Sequence, residues 1–504
     1  MTESAEKTSY DQILTSTAVV GGSQVINILL GIVRTKFLAV LLGPAGIGLM
    51  GMYLSVTNMV GSVAGLGIGY SGVRQISVDV GLDNREKVAR TVLTLRRASI
   101  FLGVAGSLLT LSLSVPLSRL TFGNEDHWRE IAVLSVIIFF GAVSGGQGAL
   151  IQGMRRIGDL ASLSILGAFL GMVLSIPMVY FWGEEGIVPF LVTVSATTVL
   201  TSWWYARRVS LADVRLSWME TWAEARGLVS LGLAFMSSSL MAGGVLYLIR
   251  ILLVRKIGLD GVGLYQAAFT LSTLYIGVIL SAMGMDFYPR LASVAENNEA
   301  CNRMVNEQTE VGLLVAAPGI LATLVFAPYV IEVFYSARFI PAYDVLRWQI
   351  LGVFLRVVCW PMVLVPHAKG NGRVFFLTEL TTSIVHVALI WGGVSLFGLE
   401  GTGMAFFALY VFYTAMMLAV VHRLSLFRWS DTNLRMGLAI SACVASVFLL
   451  PRFASRGVSL AVGSIVTLVV TLYCGRNLYL LVGPEWIAGF RDKLKTRLGW
   501  LKTG

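Results

Sequence analysis

One segment of the sequence recurs at a constant offset of 215 positions, and this recurrence limits the folds that the chain can adopt. Residues 43–48 read GPAGIG, and residues 258–263 read GLDGVG. The same offset relates a further set of residues in the two halves: Gly183 and Gly398, Glu185 and Glu400, Gly186 and Gly401, and Arg208 and Arg423. Matches at one offset over most of two halves indicate a duplicated structural unit.

The duplicated unit is strongly apolar. Of the 504 residues, 56% are hydrophobic and 13% are charged, whereas a soluble domain averages about 25% charged residues. The stretches 228–254, 262–285 and 310–331 each exceed the ~18 residues that a membrane-spanning helix requires, with at most one charge apiece. The composition therefore predicts an all-α polytopic membrane protein and excludes a soluble helical protein.

Breaking the chain at charge clusters and at Gly and Pro turns predicts about fourteen transmembrane helices. Their approximate bounds are 14–42, 48–72, 91–115, 130–152, 160–182, 187–206, 228–256, 262–285, 309–335, 344–366, 374–397, 401–421, 437–451 and 458–475. The predicted organisation is an N-terminal six-helix lobe (1–208), a cytoplasmic amphipathic linker (209–227), a second six-helix lobe (228–424), two additional transmembrane helices (425–483) and a basic amphipathic tail (484–504).

Lys and Arg residues are concentrated in alternate loops, and 26 of the 38 lie on one side of the predicted membrane. Basic loops remain in the cytoplasm, so we expect both termini to be cytoplasmic. The acidic start of the chain does not resemble a cleaved signal peptide. The dispersed positive charge does not form the basic face that nucleic-acid binding requires.

Amphipathic spacing occurs in two segments outside the spans. In the linker, apolar residues recur at three- and four-residue steps: Leu211, Val214, Trp218, Trp222 and Ala225. In the tail the same spacing is interleaved with basic residues: Ile487, Phe490, Leu494, Leu498 and Leu501. Both patterns are typical of helices lying on the inner membrane surface.

Three arginines fall deep within predicted spans: Arg34, Arg250 and Arg356. A cation at the centre of a spanning helix costs about 2.5–3.5 kcal/mol on insertion scales, so each is expected either to line a polar cavity or to form a structural ion pair. Lys36 and Arg255 lie nearer the outer surface, where they can either extend to water or join the same cavity. Because arginine presents a planar fork of donors, a cavity of this kind would favour phosphate groups.

Uncharged polar residues in the spans form a second candidate set: Gln24, Asn27, Asn58, Gln147 and Gln152. Their paired donors and acceptors could bind sugar hydroxyls or could form hydrogen bonds between helices. Glu379 and His386 are seven residues apart on one helix face, where they could couple transport to protons or simply pack.

The residues for enzymatic catalysis are missing from the sequence. Its four histidines and four cysteines are scattered, and we find neither metal-ligand spacing nor a nucleotide-binding motif. We therefore predict a protein that is not an enzyme and that has no cofactor and no metal.

Residues 31–48 resemble the first helix and turn of Wzx-type O-antigen and polysaccharide flippases. Residues 152–157 and 368–373 resemble the cytoplasmic ends of that family's fourth and tenth helices, and the likeness extends over residues 10–425. These flippases belong to the multidrug/oligosaccharidyl-lipid/polysaccharide exporter superfamily. The resemblance implies two six-helix lobes around a V-shaped central cavity.

The resemblance also implies a function in the bacterial inner membrane. The cargo would be an undecaprenyl-pyrophosphate-linked oligosaccharide, moved from the inner to the outer leaflet by alternating access for O-antigen or other surface polysaccharide. Membrane lipids and a polysaccharide polymerase or chain-length machinery would be its partners. The alternatives are a cation-coupled multidrug exporter, a lipid II flippase, and, from another class, a membrane glycosyltransferase or an envelope scaffold.

Overall fold

The computed structural model describes the backbone of residues 2–482 and the side chains of residues 21–481 other than Ser238. Within residues 2–482 the regular structure is helical, and no strand occurs. The α-helices are α1 (Thr2–Ala64), α2 (Ile68–Gly81), α3 (Arg85–Ser112), α4 (Ser114–Phe122), α5 (Trp128–Gly153), α6 (Ile157–Trp182), α7 (Ile187–Ala206), α8 (Trp218–Ser293), α9 (Asn298–Phe334), α10 (Tyr343–Ala368), α11 (Gly372–Phe397), α12 (Glu400–Ser425), α13 (Asp431–Leu449) and α14 (Arg456–Val482).

Eleven helical stretches in the described part of the chain are long and apolar enough to cross a membrane. Three of them, at 44, 50 and 55 residues, are long enough to hold two spans each. They are interrupted at Gly43, at the 3₁₀ turn Gly183–Gly186 and at Gly258. Eleven stretches with three internal breaks give the fourteen spans expected, which confirms the prediction of an all-α polytopic membrane protein.

The duplication is visible in the backbone. Gly43 (φ 68°, ψ −170°) and Gly258 (φ 72°, ψ −178°) break their helices in nearly the same conformation. Gly183 (φ 57°) and Gly398 (φ 59°) end α6 and α11 in the same way. These positive φ values favour glycine. The bounds of α5 and α6 also map onto those of α10 and α11 at the offset of 215, so the two halves share one helical plan.

The chain forms two compact units, which differ in extent from the predicted lobes. One comprises Met1–Gln266 with Val333–Phe339, and the other comprises Ala267–Glu332 with Ile340–Gly504. The first part of α8, the predicted seventh span, therefore packs within the first unit. The predicted second lobe, residues 228–424, is defined by the sequence repeat and not by compact packing, so it remains a prediction.

The amphipathic spacing from Leu211 to Ala225 is typical of a helix, but only its second half is helical. Residues 210–217 have no regular structure, and α8 begins at Trp218. The cause is a capping box: Ser217 N donates to Glu220 Oε2 at 2.8 Å, and Glu220 N donates to Ser217 Oγ at 3.2 Å. The bond from the Ser217 backbone lowers the pKa of the Glu220 carboxyl. The predicted tail at 484–504 lies outside the described residues.

Hydrogen bonds and a cation–π contact join the start of α8 to α3. Arg90 Nε donates to Glu224 Oε1 at 2.9 Å, and Arg97 Nη1 donates to Thr221 Oγ1 at 2.7 Å. The Arg97 guanidinium also lies 4.9 Å from the ring centre of Trp218, which is 73% exposed. Some of the basic residues that set the predicted orientation thus also hold the linker in place, while its tryptophan stays available to the membrane interface.

Candidate functional site

A cavity of about 540 Å³ lies within the first unit, between the second half of α1 and helices α2, α3, α5, α6 and α8. None of its lining side chains, all in the described part of the chain, carries a charge. Its polar groups include the predicted residues Asn58 and Gln152, both of which are exposed. The buried Ser99 Oγ, which also lines it, has no hydrogen-bond partner among the described residues. We call this space the neutral cavity, and its chemistry suits hydroxyl-bearing groups.

Eight glycines help to line the neutral cavity, and they do so in two ways. A Cβ on Gly67 would overlap the carbonyl oxygen of Gly232, so this glycine permits close helix contact. A Cβ on Gly145 or Gly148 would meet nothing within 4 Å. These two positions therefore widen the cavity.

Arg250 is held by three uncharged groups. Its guanidinium donates to Ser55 Oγ, to Gln266 Oε1 and, at 3.4 Å, to the Gly51 carbonyl oxygen. No carboxylate lies within ion-pair distance of Arg250 in the described part of the chain. The half-buried guanidinium therefore keeps its positive charge uncompensated, as an anion site requires.

Next to Arg250, the two copies of the repeated turn meet in a nearly symmetric contact. A Cβ on Gly48 would overlap the Leu259 carbonyl oxygen, and a Cβ on Gly263 would overlap the Pro44 carbonyl oxygen. Pro44 and Leu259 are equivalent in the repeat, as are Gly48 and Gly263. The contact thus has a pseudo-twofold axis, and glycine at both positions lets the two backbones touch. The sequence located these glycines but did not indicate that they face each other.

The other cationic candidates differ in their surroundings. Arg34 is half-buried and makes no hydrogen bond or ion pair with any described residue. Lys36 is also half-buried. Arg255 is exposed, and its Nη2 donates to the Leu120 carbonyl oxygen at 2.7 Å, near the end of α4. Within the described part of the chain, Arg34 therefore resembles Arg250 in having no acidic partner, whereas Arg255 donates to a backbone carbonyl.

Two of the neutral candidates are used between helices. Asn27 Nδ2 donates to Ser164 Oγ at 2.8 Å, and Gln147 Oε1 accepts a hydrogen bond from Ser202. Gln24 is exposed and makes no hydrogen bond with a described residue. Of the five, only Asn58 and Gln152 line the neutral cavity.

Arg356 belongs to the second unit, where it lines a separate cavity of about 230 Å³ with Glu379. Glu379 Oε1 accepts a hydrogen bond from the Tyr413 hydroxyl at 3.1 Å. Arg356 therefore shares its cavity with an acid, unlike Arg250. His386, seven residues after Glu379 on α11, does not line this cavity, and its buried Nε2 has no partner among the described residues.

Comparison with known proteins gives a family match and related flippases. A family model described as polysaccharide biosynthesis protein matches residues 37–344. The chain is 24% identical over 404 residues to the Lipid III flippase of Escherichia coli (strain K12), an alignment that covers 79% of this chain and 95% of that relative. The Lipid III flippase of Shigella flexneri matches to the same extent.

Solved structures share the fold. The Lipid II flippase MurJ in an inward closed conformation aligns with a TM-score of 0.69 at 12% identity, covering 93% of this chain and 99% of that one. An inward-facing multidrug resistance MATE family transporter of the MOP superfamily aligns with a TM-score of 0.66 at 18% identity, covering 79% and 95%. At these identities the likeness establishes the fold, and the function has to be argued from the site.

Proposed function

This chain belongs to the polysaccharide biosynthesis protein family, and from that premise we propose that it is a flippase for an undecaprenyl-pyrophosphate-linked oligosaccharide. The lipid would pass from the cytoplasmic to the outer leaflet of the bacterial inner membrane, supplying O-antigen or another surface polysaccharide. Its relatives are named as flippases rather than enzymes, which supports a function without chemical conversion.

The observation that carries the proposal is the set of groups around Arg250. A cation inside a spanning helix is expensive, yet Arg250 is surrounded by a hydroxyl, an amide and a carbonyl instead of a carboxylate. A pyrophosphate would supply the missing negative charge through charge-assisted hydrogen bonds. We propose that Arg34, which also has no acidic partner among the described residues, assists Arg250, and that Lys36 and Arg255 attract the headgroup from nearer the outer surface.

The neutral cavity supports the sugar part of the proposal. Asn58 and Gln152 each offer a donor and an acceptor, as a sugar hydroxyl requires. A polar headgroup that crossed hydrocarbon unaided would leave such groups unsatisfied, at a cost of several kcal/mol each. We propose that the cavity satisfies them while the polyprenyl tail remains in lipid.

In this proposal the duplicated halves rock against each other to expose the site alternately to the two sides. The charge distribution supports cytoplasmic termini. A polysaccharide polymerase or chain-length machinery would then receive the translocated glycan.

A drug exporter of the same superfamily is less well supported. That branch often carries a coupling carboxylate in its first or seventh helix, whereas residues 21–64 and 228–259 contain no Asp or Glu. A lipid II flippase would share the pyrophosphate site, so the glycan distinguishes it from the proposed function.

The decisive experiment is lipid analysis of a deletion strain. We expect a pyrophosphate-linked glycan to accumulate in the inner leaflet, and surface glycan to be lost and then restored by the intact gene. Normal lipid-linked glycan together with increased drug sensitivity would contradict the proposal and favour the exporter. Accumulation of lipid II alone would favour the lipid II alternative.

We further propose that Glu379 couples transport to protons. It shares a cavity with Arg356 and with Tyr413, and the Tyr413 hydroxyl donates a hydrogen bond to it. Opening of this cavity during transport would give water access to the carboxyl group. Arg356 would then bias the coupling group rather than contact the pyrophosphate.

We expect the Glu379→Gln variant to lose stimulation by an imposed proton gradient while it retains basal flipping in proteoliposomes. The comparison is His386→Gln on the same helix, since the histidine does not line that cavity. If His386→Gln loses stimulation by the proton gradient and Glu379→Gln does not, the coupling residue is the histidine. Full stimulation in both variants would refute a proton-coupling role for this helix.

A further inference from the structure

A third cavity, of about 350 Å³, lies in the second unit where α10 and α12 begin and α13 ends. Its lining residues include Tyr343, Asp344, Arg347, Trp348, Glu400 and Arg452. The charge pattern predicts that this end of the spans lies on the outer side of the membrane. We call this space the outer cavity, and neither the proposed lipid path nor the repeat requires it.

Arg347 forms the floor of the outer cavity and is only 7% exposed. Its Nη2 donates to the Phe448 carbonyl oxygen, and its guanidinium lies 4.6 Å from the Phe448 ring centre and 5.1 Å from that of Tyr343. Asp344 is 3.9 Å from Nη1, beyond hydrogen-bond distance. The two aromatic rings thus hold the guanidinium in place. Asp344 does not accept a hydrogen bond from it, so some of its N–H groups remain available to a ligand.

The indole ring of Trp348 lines one side of the cavity in a fixed orientation. Its Nε1 donates to Glu400 Oε1 at 2.9 Å, and the indole packs edge-on against Phe448 with ring centres 4.8 Å apart. The bond fixes both the ring plane and one carboxylate oxygen. The second oxygen of Glu400 makes no hydrogen bond in the described part of the chain, so it can accept one from a ligand.

The charges in the outer cavity balance. Two guanidinium groups, Arg347 and Arg452, face two carboxylates, Asp344 and Glu400. An anion such as pyrophosphate would be attracted by the first pair and repelled by the second. A neutral saccharide meets no such conflict, because each hydroxyl can donate to a carboxylate and accept from a guanidinium. The aromatic rings add apolar surface for the C–H faces of a sugar, and the cavity volume lies within the range of small-ligand sites, about 300–1,000 Å³.

We propose that the outer cavity is a binding site for an uncharged saccharide, separate from the lipid path. The site uses α13, part of the hairpin that the duplication does not account for, since α13 supplies Phe448 and the segment after it supplies Arg452. Saccharide binding at this site does not depend on translocation, so its test is independent of the test of the flippase proposal.

The test is saccharide binding to the purified full-length protein in detergent, with the neutral disaccharides lactose and chitobiose as probes in saturation-transfer NMR. We expect binding by the unmodified protein and at least tenfold weaker binding by Trp348→Phe and by Arg452→Gln. Trp348→Phe keeps an aromatic ring but loses the bond to Glu400. Arg452 is exposed, so its replacement tests the site with little risk to folding. The matched control is Trp391→Phe, at an exposed position on α11 outside the cavity.

Three results would overturn the proposal: no binding of either disaccharide, equal loss in Trp391→Phe, or unchanged binding in both cavity variants. Tighter binding of inorganic pyrophosphate than of either disaccharide, abolished by Arg452→Gln, would also overturn it and make the cavity an anion site.

Discussion

Replacing Arg250 with glutamine is expected to reduce surface glycan at least about tenfold in a deletion strain that carries only the variant. The side chain would keep a hydrogen-bonding group near Ser55 and Gln266 but lose the charge that those neutral groups leave uncompensated. A hydrogen bond to a charged group contributes about 1.5–3 kcal/mol, and 1.4 kcal/mol corresponds to a factor of ten. Arg250→Lys should give an intermediate result, because lysine keeps the charge without the planar fork.

The matched control is Arg290→Gln on the same helix. Arg290 is 58% exposed in an ion pair with Asp286, and such surface pairs contribute little to stability. Membrane abundance and thermal unfolding of each variant separate misfolding from lost transport. If a folded Arg250→Gln protein exports as much surface glycan as the unmodified protein, Arg250 is not part of the substrate site.

Replacing Gly263 with alanine is expected to destabilise the protein by about 1–3 kcal/mol or more, because the added methyl group would overlap the backbone oxygen of Pro44. Backbone cannot move aside as a flexible side chain can. The symmetric variant Gly48→Ala should behave alike, and the double variant should cost less than the sum, since both changes open one contact. Thermal unfolding of the purified proteins measures all three.

Gly277→Ala is the control for this contact, since it lies on the same helix and its Cβ would meet nothing within 4 Å. If Gly263→Ala unfolds at the same temperature as Gly277→Ala, the close approach of the two turns does not contribute to stability. If stability falls but transport rises, the contact opposes a step of the transport cycle.

The spans and the duplication could be predicted because they depend on regularities that the sequence itself displays. Apolar run length sets the number of spans, and a turn that needs positive φ retains glycine in both copies, as at Gly43 and Gly258. Bounds were less accurate where one polar contact decides them: the capping box of Ser217 and Glu220 shortened the linker helix by several residues.

The candidate site could be predicted only in part. Buried arginines are conspicuous in an apolar sequence, but their partners are not, so the sequence could not separate Arg250, among neutral groups, from Arg356, beside Glu379. Glycine poses the same difficulty, because the missing side chain permits a close backbone contact at Gly67 and leaves open space at Gly145. These differences arise from tertiary packing and leave no local pattern.

Arg250 reaches Gly51 and Gln266, which occupy the same place in the two copies of the ancestral segment. Arg250 therefore contacts both members of one repeat-equivalent pair. The equivalent of Arg250 in the other copy is Thr35, so only one of the two equivalent positions carries a charge. Fusing two copies into one polypeptide permits this inequality, which a dimer of identical subunits could not achieve.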